Sequence, residues 1–169
     1  MKQISDRFSV VMVIYVLLVS CSSSEAPNCS DNSVKKLVIE IIEGKIRDYM
    51  VMLPGAVALK DLRDKIGKNS NEIDAALMLG LQGRLTYNTL NELQRKYKDE
   101  GIKNILESVD KQIADAGITL SGIRTNERNN EIRKCKCSAD LVSAETSGSV
   151  DYTAQYTEDG KIYVEVSGL

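Results

Sequence analysis

GITLSGIRTNERNNEIRKCKCSADL (residues 117–141) is the stretch where the chain changes its period. Before it, apolar residues recur every three or four positions. Within it they recur at every second position, first at Ile118 and Leu120 and then at Cys135, Cys137, Ala139 and Leu141. Alternation of that kind sends one set of side chains to a core and the other to water, so the stretch reads as two strands. Asn129-Asn130 suits a two-residue turn, because Asn tolerates positive φ. Pairing Arg128 with Glu131 then sets Ile118 opposite Leu141, Leu120 opposite Ala139 and Gly122 opposite Cys137. Thr119 and Ser121 fall on the other face, against Asp140 and Ser138. One face is apolar and the other polar, as a sheet with one buried side requires.

Downstream, YTAQYTEDGKIYVEV (152–166) forms a second hairpin. A two-residue turn at Asp159-Gly160 would mix the faces, setting Tyr156 against Tyr163 and Ala154 against Glu165. A three-residue loop, Glu158-Asp159-Gly160, with Gly160 as a left-handed bulge residue, sorts them. It pairs Tyr156 with Ile162, Ala154 with Val164 and Tyr152 with Val166. The stripe of Tyr152, Ala154 and Tyr156 is then core, while Thr153, Gln155, Tyr163 and Glu165 point outward.

Upstream, the apolar positions Val34, Leu37, Val38, Ile41, Ile42 and Ile46 mark a helical face, opened by Asp31, Asn32 and Ser33. Met50 and Leu53 extend it, and Pro54 is expected to end it. Shorter helices follow at 56–66, stopped by Gly67, and after Asn69, whose pairing with Glu72 matches a capping box. Residues 88–116 read as helix again, with a break at Gly101. The fold class expected is α+β: N-terminal helices (33–116) packed on one face of a four-stranded antiparallel meander sheet (117–169).

Residues 1–20, MKQISDRFSVVMVIYVLLVS, stand apart from this domain. Lys2 and Arg7 make a short basic start, and Ser9 to Ser20 is an apolar run of 12 residues, short of the roughly 20 needed to span a bilayer. The run ends in Leu18-Val19-Ser20-Cys21. This motif resembles the lipobox of bacterial lipoproteins, in which a branched residue and two small or moderate ones precede the cysteine at the cleavage site. The resemblance covers residues 1–21 and implies that 1–20 is a signal peptide and that Cys21 is lipidated. It also implies a domain tethered to a membrane on the oxidising side of the cell envelope, with Ser22 favouring the outer membrane. Residues 21–28 read as a polar tether and 29–169 as one domain.

Removing residues 1–20 takes away Lys2, Arg7 and Asp6 and leaves a net charge of −3 in 149 residues. So mild a charge, without a basic cluster, points away from nucleic acid. The chain has no His, which excludes His-based triads and imidazole metal ligands. No phosphate loop, nucleophile elbow or calcium loop occurs, and no cofactor is expected. Asp61 with Asp64, and Glu72 with Asp74, lie among Lys60, Arg63 and Lys65 and read as a solvated ion-pair face.

With Cys21 assigned to lipid, Cys29, Cys135 and Cys137 remain. Neighbours at i and i+2 on a strand have parallel Cβ directions, so Cys135–Cys137 is disfavoured as a disulfide. A zinc site would hold three thiolates and lack a fourth ligand, so no metal is expected. The reading is a staple from Cys29 to one of the pair. Cys137 is favoured because it faces Gly122, with Cys29–Cys135 the alternative. The expected role is a non-catalytic lipoprotein domain that binds another envelope protein. The candidate interaction face is Thr119, Ser121, Lys134, Lys136, Thr153, Gln155, Tyr163 and Glu165, with the helices of 56–100 as a second candidate. A small-ligand-binding or sensing lipoprotein is the alternative function.

Overall fold

The computed structural model describes residues 25–67 and 70–167. The lipobox and signal segment lie outside these residues, as does Asn69 of the expected capping box. Four helices, α1 (Asn32–Ile66), α2 (Asn71–Leu81), α3 (Tyr87–Tyr97) and α4 (Glu100–Ala116), precede four strands. These are β1 (Thr119–Asn129), β2 (Lys134–Val142), β3 (Ser147–Tyr156) and β4 (Ile162–Ser167), paired antiparallel in the order β1-β2-β3-β4. The architecture is the expected α+β meander. No described helix is long and apolar enough to cross a membrane.

Pro54 does not end α1, which runs 35 residues through it. A proline inside a helix costs about 3 kcal/mol. Beyond it, α1 buries Gly55, Ala58, Leu59 and Leu62 against α2, α3 and α4, and each large apolar side chain so buried contributes roughly 1.5–3 kcal/mol. Burial therefore outweighs the lost hydrogen bond, and the expected separate helix at 56–66 is the second half of α1. The expected break at Gly101 falls slightly earlier. Lys98 takes a left-handed conformation with φ of 55°, and Asp99 caps α4 by accepting a hydrogen bond from Ile102 N at 3.0 Å.

The long helix serves two cores. Val34, Val38 and Ile42 pack on the inner sheet face with Cys135, Cys137, Ala139, Val150, Tyr152 and Ala154. Val51, Leu59 and Leu62 pack with Ile73, Leu90, Leu93 and Ile102 from the other helices. Ile46 borders both. Of the helices, α1 thus lies on the sheet along its first half, while α2–α4 gather around its second half. Ala26 and Pro27, expected in the free tether, are buried, and Ala26 N donates to Asn130 Oδ1 at 3.1 Å.

The second hairpin has the expected register, with Tyr156 opposite Ile162, Ala154 opposite Val164 and Tyr152 opposite Val166, and Gly160 at φ 79°. The first does not. Leu120 faces Leu141, Thr125 faces Cys137 and Arg128 faces Cys135, with bulges between Ser121 and Arg124 and between Thr125 and Glu127. Asn129 pairs with Lys134, so a four-residue connection replaces the two-residue turn. Its start is fixed by Asn129 Oδ1, which accepts from Glu131 N at 3.0 Å and Ile132 N at 3.3 Å, a side-chain-to-backbone turn that Asn forms readily. Gly122 supplies the first bulge at φ 55°, where a Cβ would collide with the Asp140 carboxylate. The bulge at Gly122 reverses the alternation: Ile123 packs against the inner-face core and Thr125, opposite Cys137, reaches the Cys29 sulfur, where unbroken alternation from Ile118 and Leu120 would turn both outward.

Candidate functional site

The expected interaction residues do lie on the outer, solvent-facing side of the sheet, but in two groups. Lys136, Thr153 and Glu165 form one cross-strand row, and Lys134, Gln155 and Tyr163 the next. Thr119 and Ser121 sit at the far end, opposite Val142 and Asp140. Two charge pairs lie on this face, Lys136 with Glu127 at 2.5 Å and Arg124 with Asp140 at 3.1 Å, while Lys134 and Glu165 belong to none of the ion pairs among the described residues. Tyr163 and, at the far end, Val142 are its large apolar side chains among the described residues, 54% and 38% exposed. Surface pairs of this kind contribute about 0–1 kcal/mol each, and the face offers a partner little apolar area to bury.

A different surface carries the apolar exposure. On α1, Tyr49, Leu53 and Val57 recur every fourth residue and are 78%, 77% and 57% exposed. That spacing stacks them along one helical stripe. Leu81 and Met78 of α2, 83% and 60% exposed, stand beside the stripe. Between the α1 stripe, Leu81 and α4 runs a groove of about 920 Å³, with Met50, Pro54, Ile105 and Val109 among its apolar lining and Ser108 and Gln112 as polar members. Gly80 permits the close packing of α1 and α2 here, since a Cβ would meet Ala56 Cβ at 3.2 Å. The second expected candidate, the helices of 56–100, contains Val57, Met78 and Leu81. Tyr49 and Leu53 fall outside it, because reading Pro54 as a helix end cuts the repeat in two.

The carboxylates that sequence reading set aside are engaged by cations. Asp74 meets Arg63 at 2.8 Å and Glu72 meets Lys96 at 2.6 Å, while Asp61 and Asp64 are exposed on α1. Tyr87 Oη donates to Asp110 at 2.6 Å, and burial together with that carboxylate pushes the phenol up to about 12. Arg47 bridges Asp110 and Glu43. These contacts tie helix to helix.

The cysteines converge under the sheet. Cys29 is bonded to Cys137, joining the turn before α1 to β2 with Cα atoms 5.9 Å apart. The reason given by the sequence does not hold, since Cys137 faces Thr125 and not Gly122. Cys135 is a buried free thiol with its Sγ 3.5 Å from that of Cys137, and burial pushes its ionisation up. Thr125 Oγ1 donates to Cys29 Sγ at 3.2 Å, and Tyr152 Oη donates to Cys29 O at 2.9 Å. Family models, characterised proteins and solved structures offer no match to this chain.

Proposed function

We propose that this chain is a lipid-anchored envelope protein whose domain binds another envelope protein, in an accessory, inhibitor or immunity-type role. The single observation that carries the binding role is the exposed apolar stripe of Tyr49, Leu53 and Val57 beside Leu81. Exposed apolar area of this contiguity marks association surfaces more often than plain solvent-facing surface, and aromatic anchors are typical of their centres. The membrane anchor rests on the resemblance of Leu18-Val19-Ser20-Cys21 to a lipobox, and Ser22 after it favours the outer membrane. In this reading the domain carries no catalytic set. Its paired carboxylates act as struts between helices.

A photo-crosslinking residue at Leu53 or Leu81, introduced in the native cell, tests the binding surface. A discrete adduct from both positions, absent from Thr153 and Glu165 on the sheet face, is the expected result. Adducts from the sheet face alone would return the interface to the polar surface. Metabolic labelling with a palmitate analogue tests the anchor, and Cys21→Ser is expected to abolish the label. A small-ligand-binding role draws on one observation, the groove volume, which falls within the usual range of ligand pockets. Its exposed rim of Tyr49 and Leu81 suits a protein partner better than an enclosed small molecule.

A further inference from the structure

The sulfurs of Cys29, Cys135 and Cys137 all lie within 4.8 Å of one another, and each residue is 1% exposed. The disulfide accounts for two of them. It leaves unexplained why a third thiol is buried in contact with the bond. We propose that the three cysteines, when reduced, form a three-coordinate site for a soft monovalent cation, Cu(I), and that the Cys29–Cys137 disulfide is the metal-free form of this site.

The objection to zinc is the missing fourth ligand, and the described neighbours still supply none: the three sulfurs are bordered by the apolar inner sheet face and by α1. Cu(I) removes that objection, because a closed-shell monovalent ion is satisfied by three thiolates in a plane. Soft thiolate donors also select it over harder ions. Three thiolates, each about 2.3 Å from one ion, stand roughly 4 Å apart. Cys135 and Cys137 are already 3.5 Å apart. Only the Cys29 sulfur has to withdraw, and it sits on the turn preceding α1, outside the helix and the sheet. The loaded site carries a net charge of −2. Arg128, opposite Cys135 on β1, and the Thr125 hydroxyl on the Cys29 sulfur offset part of it. Outer partners of this kind orient and stabilise metal ligands.

A dithiol reductant delivers two electrons and two protons to the Cys29–Cys137 bond, leaving two thiols and becoming a disulfide itself. Cu(I) then displaces one proton from each of the three thiols. The staple and the metal site are alternative uses of the same sulfurs. On the oxidising side of the envelope, the metal form requires that the dithiol reductant reach the domain there. The inference is independent of the partner-binding surface.

The test uses the full chain carrying Cys21→Ser, so that these three thiols are the only ones, reduced with a phosphine under argon. Cu(I) is titrated from its bicinchoninate complex. The expected result is one Cu(I) per chain, three-sulfur coordination by X-ray absorption, and native amide dispersion by NMR in the loaded protein. Cys135→Ser is expected to weaken Cu(I) binding by more than about 100-fold, beyond the usual effect of an outer partner. The same variant, when oxidised, is expected to keep the Cys29–Cys137 bond and a native circular dichroism spectrum, which separates ligand loss from misfolding. Equal uptake by the parent and Cys135→Ser, two-coordinate copper, or uptake by a chain that stays unfolded would each overturn the proposal.

Discussion

Lys65 Nζ, in the last turn of α1, lies 2.9 Å from the carboxylate of Asp99, whose side chain is 7% exposed. The same carboxylate caps α4 through Ile102 N. One residue thus joins the end of the long helix to the corner between α3 and α4. Asp99→Ala removes both contacts and is expected to destabilise the domain by about 1–2 kcal/mol, most of it from the cap. Asp99→Asn keeps the cap geometry and should cost less than about 0.5 kcal/mol. Lys65 is largely exposed, so the ion pair itself contributes little. Denaturant unfolding at neutral pH measures the series.

The pH dependence of that contact has a definite sign. Burial disfavours the charged form of Asp99, but the Lys65 ammonium and the Ile102 N–H prevail and hold it below its ordinary value of 3.8. A depressed folded value gives stability that is complete above the unfolded value and lost as pH falls through the folded one. The Tm difference between the parent and Asp99→Asn is therefore expected to be constant near neutrality and to shrink below pH 3.8. A difference that persists at lower pH would assign the stabilisation to packing.

Cys29 and Cys137 are 108 residues apart in sequence, so their bond restricts a long loop in the unfolded chain. Cys29→Ser is expected to cost about 2–5 kcal/mol. The loss should concentrate where α1 begins. Hydrogen exchange is expected to quicken around Val34 and Val38, which pack on the sheet, more than around Leu90 and Ile102 in the helical core. Uniform acceleration across both cores would show that they unfold as one unit.

Two glycines of α1 should respond to alanine with opposite signs. A Cβ on Gly44 would meet nothing within 4 Å, so Gly44→Ala is expected to stabilise by about 0.5–1 kcal/mol through helix propensity. At Gly55 the Cβ would lie 2.5 Å from Leu90 Cδ1 and 3.0 Å from Leu85 Cδ2, both on fully buried side chains. Overpacking there costs about 1–3 kcal/mol and exceeds the gain in propensity. Thermal unfolding of the two variants checks the contrast.

Leu53→Ser and Leu81→Ser remove apolar atoms that already face solvent. The double variant is expected to change stability by less than about 0.5 kcal/mol while reducing binding of a hydrophobic dye to the folded protein. If it unfolds the domain instead, these leucines are core residues and the apolar surface is lost as a binding site.

Much of this fold is legible in the chain. The change of period at Gly117, the helical repeats and the bulged loop at Gly160 each follow from local rules, since a turn and its flanking alternation are read within a dozen residues. The inward direction of Cys135, Cys137, Ala139 and Tyr152 follows from the same alternation. In the first hairpin the faces of β2 and the start of β1 are legible, but beyond Gly122 the bulge turns Ile123 and Thr125 inward. The hairpin's register depends on Gly122, on Asn129 closing its own turn, and on two bulges that periodicity does not mark. Tyr49 and Leu53 were cut from the candidate surface at Pro54, where a local rule predicted an end and tertiary burial overruled it.

By itself the sequence determined the class of architecture, the faces of β2, β3 and β4 and the convergence of Cys29 with the strand pair, because these depend on periodicity and on how many thiols there are to pair. Tertiary structure decided the rest. It carried α1 through Pro54, slid β1 against β2, placed Cys137 opposite Thr125, and left Tyr49, Leu53 and Leu81 facing water. Those outcomes compare the burial of distant side chains with the cost of a local break, and that comparison exists only once the helices and the sheet have met.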